Sequence, residues 1–155
     1  MKIFPSVKAP IIENGKSKVQ NLFQYIKNKK IVIFGVPGAF TPTCSERHLP
    51  GYLELNDKIR KKGIDDIFCL SVNDEFVMLS WLLTYPDGNK IKGIADGNAE
   101  ISHALELTID KSSHYMGLRC SRFAMLVDNH NIINIFIDEP GKFEISSAEN
   151  ILNNI

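Results

Sequence analysis

The sequence predicts an α/β fold in which a central mixed β-sheet is flanked by helices. An unbroken apolar run at residues 31–34 and a largely apolar run at 67–72 have the pattern of strands that are buried on both faces of a parallel sheet. Helical apolar spacing separates these runs, and two further strand patterns surround a polar turn near the C-terminal end. Strands that alternate with helices, followed by a hairpin and a last helix, form a mixed sheet with helices on both faces.

Composition and length indicate one globular domain over residues 1–155. The chain is 44% hydrophobic and 23% charged, and its 18 basic residues balance 18 acidic ones. A chain of this length buries roughly 70% of its unfolded surface. Because the charges balance and form no basic patch, we expect neither a nucleic-acid nor a membrane partner.

The chain carries no pattern that directs it into or across a membrane. No apolar run approaches the roughly 20 residues that span a bilayer. The N-terminal residues contain no apolar signal core and no small-residue cleavage pattern. We therefore expect a cytoplasmic protein, or an organellar one where a targeting segment has been removed.

The N-terminal half is predicted to contain an extended segment and two helices around the first buried strand. Residues 9–13 are predicted to be extended, and Asn21 is predicted to cap a helix that runs to about residue 28. The helix after the first buried strand is predicted to end at Lys61-Lys62-Gly63, since basic residues and a glycine are typical of a helix end. Proline disrupts helical hydrogen bonding, so we expect a kink or break near Pro50-Gly51.

The C-terminal half is predicted to alternate short helices and strands. In chain order these are a helix capped by Asn73, a strand and turn at 94–97, a helix at 101–105 and hairpin strands at 122–127 and 132–137. The S-x-x-E pattern at 146–149 has the form of a capping box. It predicts a final helix.

One cysteine, Cys44, lies where the predicted backbone would make its side chain reactive. A Pro- and Gly-rich loop at 35–38 follows the first buried strand, and Thr41 and Pro42 are typical of a helix start, so Cys44 falls in the first turn. The unpaired backbone N–H groups and the positive end of the helix dipole then favour the thiolate, the reactive form of cysteine. The alternative is an inert, small hydrophobic residue.

The cysteines form neither a disulfide framework nor a metal site. Cys44, Cys69 and Cys120 are an odd number, with no C-x-x-C among them. Cys44 and His48 are four residues apart and could share a metal, but the sequence offers no clear further ligands, so we expect no metal and no cofactor. His48 is expected on the helix surface or at an interface, and Cys69 is expected to be a buried hydrophobic residue.

The run GVPGAFTPTCSERHLPGY, at residues 35–52, resembles the active-site motif of the peroxiredoxins. Their pattern P-x-x-x-T-x-x-C falls here on Pro37, Thr41 and Cys44, and the longer run looks like their type II branch, also called the peroxiredoxin-5 group. The stretches FCLSVNDEFV, IADGNAEI and LRCSRFAMLVDN are similar to the family as well. The resemblance covers nearly the whole chain and implies a thioredoxin-like fold, which suits a reactive cysteine after the first buried strand.

The resemblance implies a thiol peroxidase that reduces hydrogen peroxide and organic hydroperoxides through a sulfenic acid on Cys44. The thiolate must be stabilised, and so must the oxyanion that leaves. Arg122, directly before an aromatic residue, matches the family's active-site arginine, with Arg119 as the runner-up. Thr41 would donate to the sulfur and the peroxide, in addition to capping the helix, and Pro37 would shield the sulfur from water.

The resemblance also implies how the peroxide is held. The backbone N–H groups of Thr43 and Cys44 would help to bind it. Phe40, Leu118 and Phe123 would furnish apolar surroundings. Family members often pair around the active-site loops, so a homodimer is expected.

The chain departs from the family pattern at the resolving cysteine. Many type II members carry that cysteine in the loop before the last helix, where this chain has GKFEIS, with Ile145 near the expected position. We therefore expect one-cysteine chemistry, in which glutathione with glutaredoxin, or thioredoxin, reduces the sulfenic acid. Cys120, close to the candidate arginine in sequence, is the alternative resolving or glutathionylated thiol.

Two other functions use the same fold and thiolate. A thiol–disulfide oxidoreductase would need the second cysteine of C-x-x-C, which Thr41-Pro42-Thr43-Cys44 lacks. A redox sensor or chaperone would use oxidation of the thiolate as a signal. Steady-state consumption of peroxide with each reductant distinguishes these functions from a peroxidase.

Overall fold

A computed structural model describes residues 2–155, and eight of its strands form one mixed sheet. The strands are β1 (Lys2–Ile3), β2 (Lys8–Glu13), β3 (Lys16–Asn21), β4 (Lys30–Gly35), β5 (Asp66–Ser71), β6 (Lys92–Ala95), β7 (Thr108–Asp110), β8 (Leu118–Cys120), β9 (Phe123–Asp128) and β10 (Asn131–Ile137). The α-helices are α1 (Leu22–Tyr25), α2 (Leu49–Glu54), α3 (Asn56–Lys61), α4 (Glu75–Leu83), α5 (Glu100–Ala104) and α6 (Ala148–Asn153). A π-helix at Cys44–His48 precedes α2, and 3₁₀ turns lie at Gly88–Lys90 and Ser112–His114.

The strand order of the large sheet is β1-β10-β9-β4-β5-β6-β2-β3. Strand β4 pairs in parallel with β5 and antiparallel with β9, and β5 pairs in parallel with β6. Strands β7 and β8 form a separate two-stranded sheet. The mixed sheet predicted from the two apolar runs is confirmed, because both runs form central, buried strands.

Helices cover both faces of the sheet, as predicted. Alternate side chains of β4 enter opposite cores, with Val32 and Phe34 on one face and Ile31 and Ile33 on the other. The first core packs against α2, α3, α4 and α6, and the second against α1 and α5. This layering is the predicted thioredoxin-like α/β architecture.

Helix caps are partly as predicted. Asn21 accepts a hydrogen bond from the backbone N–H of Gln24 and caps α1 as expected, although the helix ends at Tyr25. The cap of α4 is Asp74 and not Asn73, because the Asn73 side chain accepts hydrogen bonds from the Ala39 N–H and the Ser71 hydroxyl.

The last helix also starts one residue later than predicted. Ser147, not Ser146, caps α6 by accepting a hydrogen bond from the Asn150 N–H. Ser146 is buried, and its hydroxyl donates to the Asp138 carboxylate instead. A tertiary contact of Ser146 has therefore moved the cap to Ser147, and the S-x-x-E pattern does not act as the predicted capping box.

The predicted kink or break near Pro50-Gly51 coincides with a change of helix type and not with an end of the helix. The π-helix Cys44–His48 passes directly into α2 at Leu49, and α2 continues through Pro50. Before it, the Leu49 N–H donates to the Cys44 carbonyl in the i to i−5 pattern of the π-helix. The helical path is interrupted later, at Leu55 between α2 and α3.

The predicted hairpin of β9 and β10 is present, and sequence reasoning missed a second one. Strands β2 and β3 pair antiparallel around Asn14 and Gly15, whose φ angles are 51° and 74°. Two successive positive φ angles are typical of the type I′ turn that an Asn-Gly pair favours. The Asn-Gly dipeptide was therefore a usable signal for this hairpin.

Gly35 is predicted to be indispensable to the packing of β4 on β9. A Cβ atom at this position would overlap the ring of Phe123, the residue opposite it in β9. Gly35→Ala should therefore lower the free energy of unfolding by about 1–3 kcal/mol, measured by urea denaturation. Gly51→Ala is the control, because its Cβ would meet Ala148 at 3.8 Å, an ordinary contact. Equal stability of the two variants would contradict this prediction.

Candidate active site

Cys44 lies beyond the carboxyl end of β4, at the start of the π-helix. The helical segment begins at Pro42, two residues earlier, and the Cys44 side chain is fully buried. Pro37, Thr41 and Thr43 are half-buried beside it along the chain. The carboxyl ends of parallel strands are where α/β sheets bind their ligands, and Cys44 belongs to this end.

Arg122 contacts the sulfur of Cys44. Its Nη2 donates a hydrogen bond to Cys44 Sγ at 3.4 Å. Arg122 precedes β9 directly, and the antiparallel pairing of Phe123 with Gly35 brings it to the end of β4 from which the chain leaves toward Cys44. The guanidinium is permanently charged and stabilises a thiolate at this distance.

Arg119, the runner-up, has a different set of contacts. Its Nε donates to the Met116 carbonyl at 2.8 Å and its Nη1 to the Val72 carbonyl at 3.0 Å. These bonds fasten β8 and the preceding turn to the end of β5. Arg119 makes no hydrogen bond to Cys44 among residues 2–155.

His48 is buried, so the expectation of a surface or interface residue is wrong. Its Nδ1 lies 3.1 Å from Arg122 Nη1, and its Nε2 lies 3.0 Å from the Ser146 carbonyl oxygen. Because a guanidinium only donates, Nδ1 is the acceptor and the proton resides on Nε2, which donates to Ser146. Burial, and next the charge of Arg122, lower the pKa of His48 to about 3, so the ring is neutral.

Aromatic rings enclose His48 within the first core. The ring centroids of Phe34, Tyr52 and Phe143 lie 4.9, 5.6 and 5.0 Å from that of His48. Tyr52 and Phe34 stack at 4.0 Å, and the Tyr52 hydroxyl donates to the same Ser146 carbonyl at 2.8 Å. The only sequence signal for this arrangement was the four-residue spacing of His48 from Cys44, which places both on one helix face.

The segment from Asp138 to Ser146 is fastened beside Arg122. The Asp138 carboxylate accepts hydrogen bonds from the N–H groups of Glu144, Ile145 and Ser146 and from the Ser146 hydroxyl. Burial opposes ionisation of Asp138, but these donors lower its pKa below the ordinary value. The Asp138 N–H in turn donates to the Arg122 carbonyl at 2.9 Å.

Thr41 does not donate to the sulfur in this structure. Its hydroxyl donates to the Gly38 carbonyl at 2.6 Å, which uses its single proton. Among residues 2–155, the Thr41 hydroxyl accepts no hydrogen bond from a backbone N–H of the helix, so the predicted capping role is not seen either. The Thr41 side chain does line a cleft beside the site.

This cleft has a volume of about 190 Å³. Arg122 and the loop at residues 37–43, called the active-site loop below, form one side of the cleft. The apolar side chains of Ile109 and Met116, in the β7–β8 region, form another. The lining residues are Pro37, Thr41, Pro42, Thr43, Ile109, Lys111, Met116, Ser121, Arg122, Asp138, Glu139, Pro140, Gly141 and Lys142. The three predicted apolar neighbours are not among them, because Phe40 and Leu118 are more than half exposed and Phe123 is buried against Gly35.

Cys69 and Cys120 are fully buried within the two cores. Burial raises the pKa of both thiols, so neither is a thiolate at neutral pH. The Cys120 thiol donates to the Val36 carbonyl at 3.1 Å.

Within residues 2–155, no group of three or more His, Cys, Asp or Glu side chains could hold a metal ion. None of the helices in the described part of the chain is both long and apolar enough to cross a membrane.

Comparisons with known proteins agree on one family. A family model described as Redoxin matches residues 2–152. Peroxiredoxin-2B of Arabidopsis thaliana is 42% identical over 140 residues, covering 90% of this chain and 86% of that protein. Peroxiredoxin-2C of Oryza sativa subsp. japonica is 45% identical over 141 residues, covering 90% of this chain and 87% of that protein.

Solved structures agree with the sequence relatives. Reduced Prx3 of Vibrio vulnificus in complex with H2O2 has a TM-score of 0.92 and 38% identity, covering 99% of this chain and 96% of that chain. The 1-Cys peroxiredoxin (antioxidant protein) of Plasmodium falciparum has a TM-score of 0.89 and 33% identity, covering 99% of this chain and 98% of that one.

His48 should make the protein less stable in acid. Its pKa is about 3 in the fold and 6.5 for an exposed imidazole, so between these values the unfolded chain binds one more proton at this site. The free energy of unfolding should therefore fall by about 1.4 kcal/mol for each pH unit below the unfolded pKa. Urea unfolding from about pH 7 to about pH 4.5 measures this slope.

His48→Asn should reduce that slope by the contribution of the one proton that His48 binds on unfolding. This reduction is expected whatever the effect of the substitution on stability at neutral pH. The control is His103→Asn, because His103 is exposed, and it should keep the slope of the unaltered protein. An unchanged slope in His48→Asn would show that His48 does not cause the acid sensitivity.

Proposed function

The chain belongs to the peroxiredoxins, the thiol peroxidases of the Redoxin family, and we propose that Cys44 is its peroxidatic residue, acting on hydrogen peroxide and organic hydroperoxides. The observation that carries this proposal is the 3.4 Å hydrogen bond from Arg122 to the Cys44 sulfur. A cation in contact with the sulfur favours the thiolate, which is the nucleophile that peroxide reduction needs.

The reaction transfers one oxygen atom to the sulfur. The Cys44 thiolate attacks one peroxide oxygen, the S–O bond forms as the O–O bond breaks, and the other oxygen departs with the electron pair. That oxygen takes up a proton and leaves as water or an alcohol, while Cys44 becomes a sulfenic acid. Arg122 and the backbone N–H groups of Thr43 and Cys44 stabilise the negative charge of the departing oxygen.

Two neighbouring residues prepare the peroxide for this attack. Pro37 lines the cleft with apolar surface and has no N–H, so it keeps water from the sulfur. Thr41, whose hydroxyl donates to the Gly38 carbonyl before substrate enters, turns that donor to the peroxide. The apolar side chains of Ile109 and Met116 in the cleft suit the organic part of a hydroperoxide.

An external thiol completes the cycle. Cys69 and Cys120 are fully buried, and Ile145 occupies the position expected for a resolving cysteine. Glutathione with glutaredoxin, or thioredoxin, attacks the sulfenic acid and releases water, which leaves a mixed disulfide that a second thiol reduces. Cys120 as a resolving thiol is the less favoured alternative, since its segment also carries Arg122.

A second copy of the chain covers the exposed apolar residues near the active-site loops. Phe40, Tyr115 and Leu118 expose 55%, 99% and 54% of their surface. Phe40 and Tyr115 adopt positive φ angles of 64° and 59°, which non-glycine residues seldom do. Large apolar side chains held outward next to the site support a homodimer around these loops.

Cys44→Ser should abolish steady-state peroxide consumption with either reductant, because a hydroxyl is not ionised at neutral pH and cannot form the sulfenic acid. A coupled assay with glutathione and glutaredoxin, and another with thioredoxin, measures this loss. Circular dichroism should be unchanged. Continued turnover by Cys44→Ser would refute the assignment, and one turnover without recycling in the unaltered protein would favour a redox sensor.

Resolution by an external thiol predicts that Cys69→Ser and Cys120→Ser keep most of the activity that glutathione and glutaredoxin support. Mass spectrometry after one equivalent of peroxide, without added thiol, should detect a sulfenic acid on Cys44. Added glutathione should convert it to a mixed disulfide. A stoichiometric disulfide of Cys44 with Cys69 or Cys120 within one chain would instead establish internal resolution.

A further inference from the structure

We propose that His48 is a positioning residue, which holds Arg122 against Cys44 as a neutral hydrogen-bond acceptor. The proposal rests on the proposed function of Cys44. Within the described residues, His48 bonds Ser146 and Arg122 and not Cys44, so it acts on the sulfur through Arg122.

The two terminal nitrogens of Arg122 have one partner each. Nη2 donates to the Cys44 sulfur at 3.4 Å, and Nη1 donates to His48 Nδ1 at 3.1 Å. Because a guanidinium is planar and rigid, holding Nη1 on His48 restricts the orientations that Nη2 can take. The bond to His48 therefore helps to direct Nη2 to the sulfur. An arginine without it would keep several rotamers, and most of them turn the charge away from the sulfur.

His48 is itself immobile. Its Nε2 donates to the Ser146 carbonyl, and Ser146 is bound through its own N–H and hydroxyl to the Asp138 carboxylate. The rings of Phe34, Tyr52 and Phe143 enclose the imidazole. Because this acceptor is held in place, its hydrogen bond keeps Arg122 in place as well.

Because His48 is neutral, it does not compete with the thiolate for the positive charge of Arg122. A carboxylate at this position would also hold the guanidinium, but it would form an ion pair with it and compete with the sulfur. An imidazolium would lose the acceptor and repel the arginine.

The surroundings of His48 keep it neutral. The titratable and charged groups that face it are Cys44 and Tyr52 from its own helical segment, Arg122 from the start of β9, Asp138 beyond Ser146, and Arg47 across Phe143. Burial and Arg122 outweigh the opposing effects of the Ser146 carbonyl and Asp138.

Two substitutions separate the two hydrogen bonds of His48. In His48→Asn the side-chain oxygen falls near the Nδ1 position and can still accept from Arg122, but it does not reach Ser146. In His48→Gln the amide reaches the Ser146 carbonyl, but no acceptor remains at the Nδ1 position. Arg122→Met removes the guanidinium charge and therefore shows the effect on Cys44 of losing Arg122 completely. The control is His103→Gln at an exposed site.

The readouts are the second-order rate of Cys44 alkylation by iodoacetamide and the ultraviolet thiolate absorbance that Cys44→Ser removes, both followed against pH. At neutral pH, His48→Gln and Arg122→Met should react about tenfold more slowly than the unaltered protein, since a hydrogen bond to a charged group is lost. Their profiles should move to higher pH. His48→Asn should stay within about threefold of the unaltered protein.

A double-mutant cycle tests whether His48 acts through Arg122 or only supports the fold. If His48 acts through Arg122, His48→Gln should have no further effect on the thiolate in the Arg122→Met background. A further loss there, a normal profile in His48→Gln, or equal loss in the Asn and Gln variants would overturn the proposal. Neither readout uses peroxide, so absence of peroxide turnover in the unaltered protein would refute the proposed function while leaving this test decisive.

Discussion

The hydrogen bond between Arg122 and Cys44 is the contact on which the arrangement of the site depends. It joins residues 78 positions apart, and no local preference of either segment produces it. It requires the antiparallel pairing of β4 with β9, which aligns Phe123 with Gly35. A glycine is needed at that point because the Phe123 ring occupies the space of its side chain. The sheet register is therefore part of the active site, since a slip by one residue would turn Arg122 to the opposite face.

Around this bond lies a polar network that is buried but satisfied. His48, Ser146 and Asp138 each have partners for their buried polar atoms, and Ser17 Oγ is the sole buried side-chain nitrogen or oxygen without one in the described residues. Buried donors and acceptors that are all paired cannot easily reorient. In the proposed reaction, Arg122 is thus oriented before substrate arrives, which is the condition for effective electrostatic catalysis.

The sequence predicted what depends on local pattern and missed what depends on distant contacts. The runs at 31–34 and 67–72 carry their own evidence of burial, and both became central strands. His48 follows two charged residues on a short helix, and its burial depends on Ser146, 98 residues away. Arg122 was singled out by family resemblance alone, because an arginine before a strand is otherwise an ordinary surface charge.

The burial of Cys44 constrains which thiol can complete the cycle. The sulfur is fully covered, and the cleft beside Arg122 and Thr43 has a volume of only about 190 Å³. A small thiol meets less steric obstruction in such a cleft than a protein thiol does. In the proposed one-cysteine cycle, this geometry supports glutathione as the first thiol to attack the sulfenic acid on Cys44. In that cycle, a glutaredoxin would then reduce the mixed disulfide.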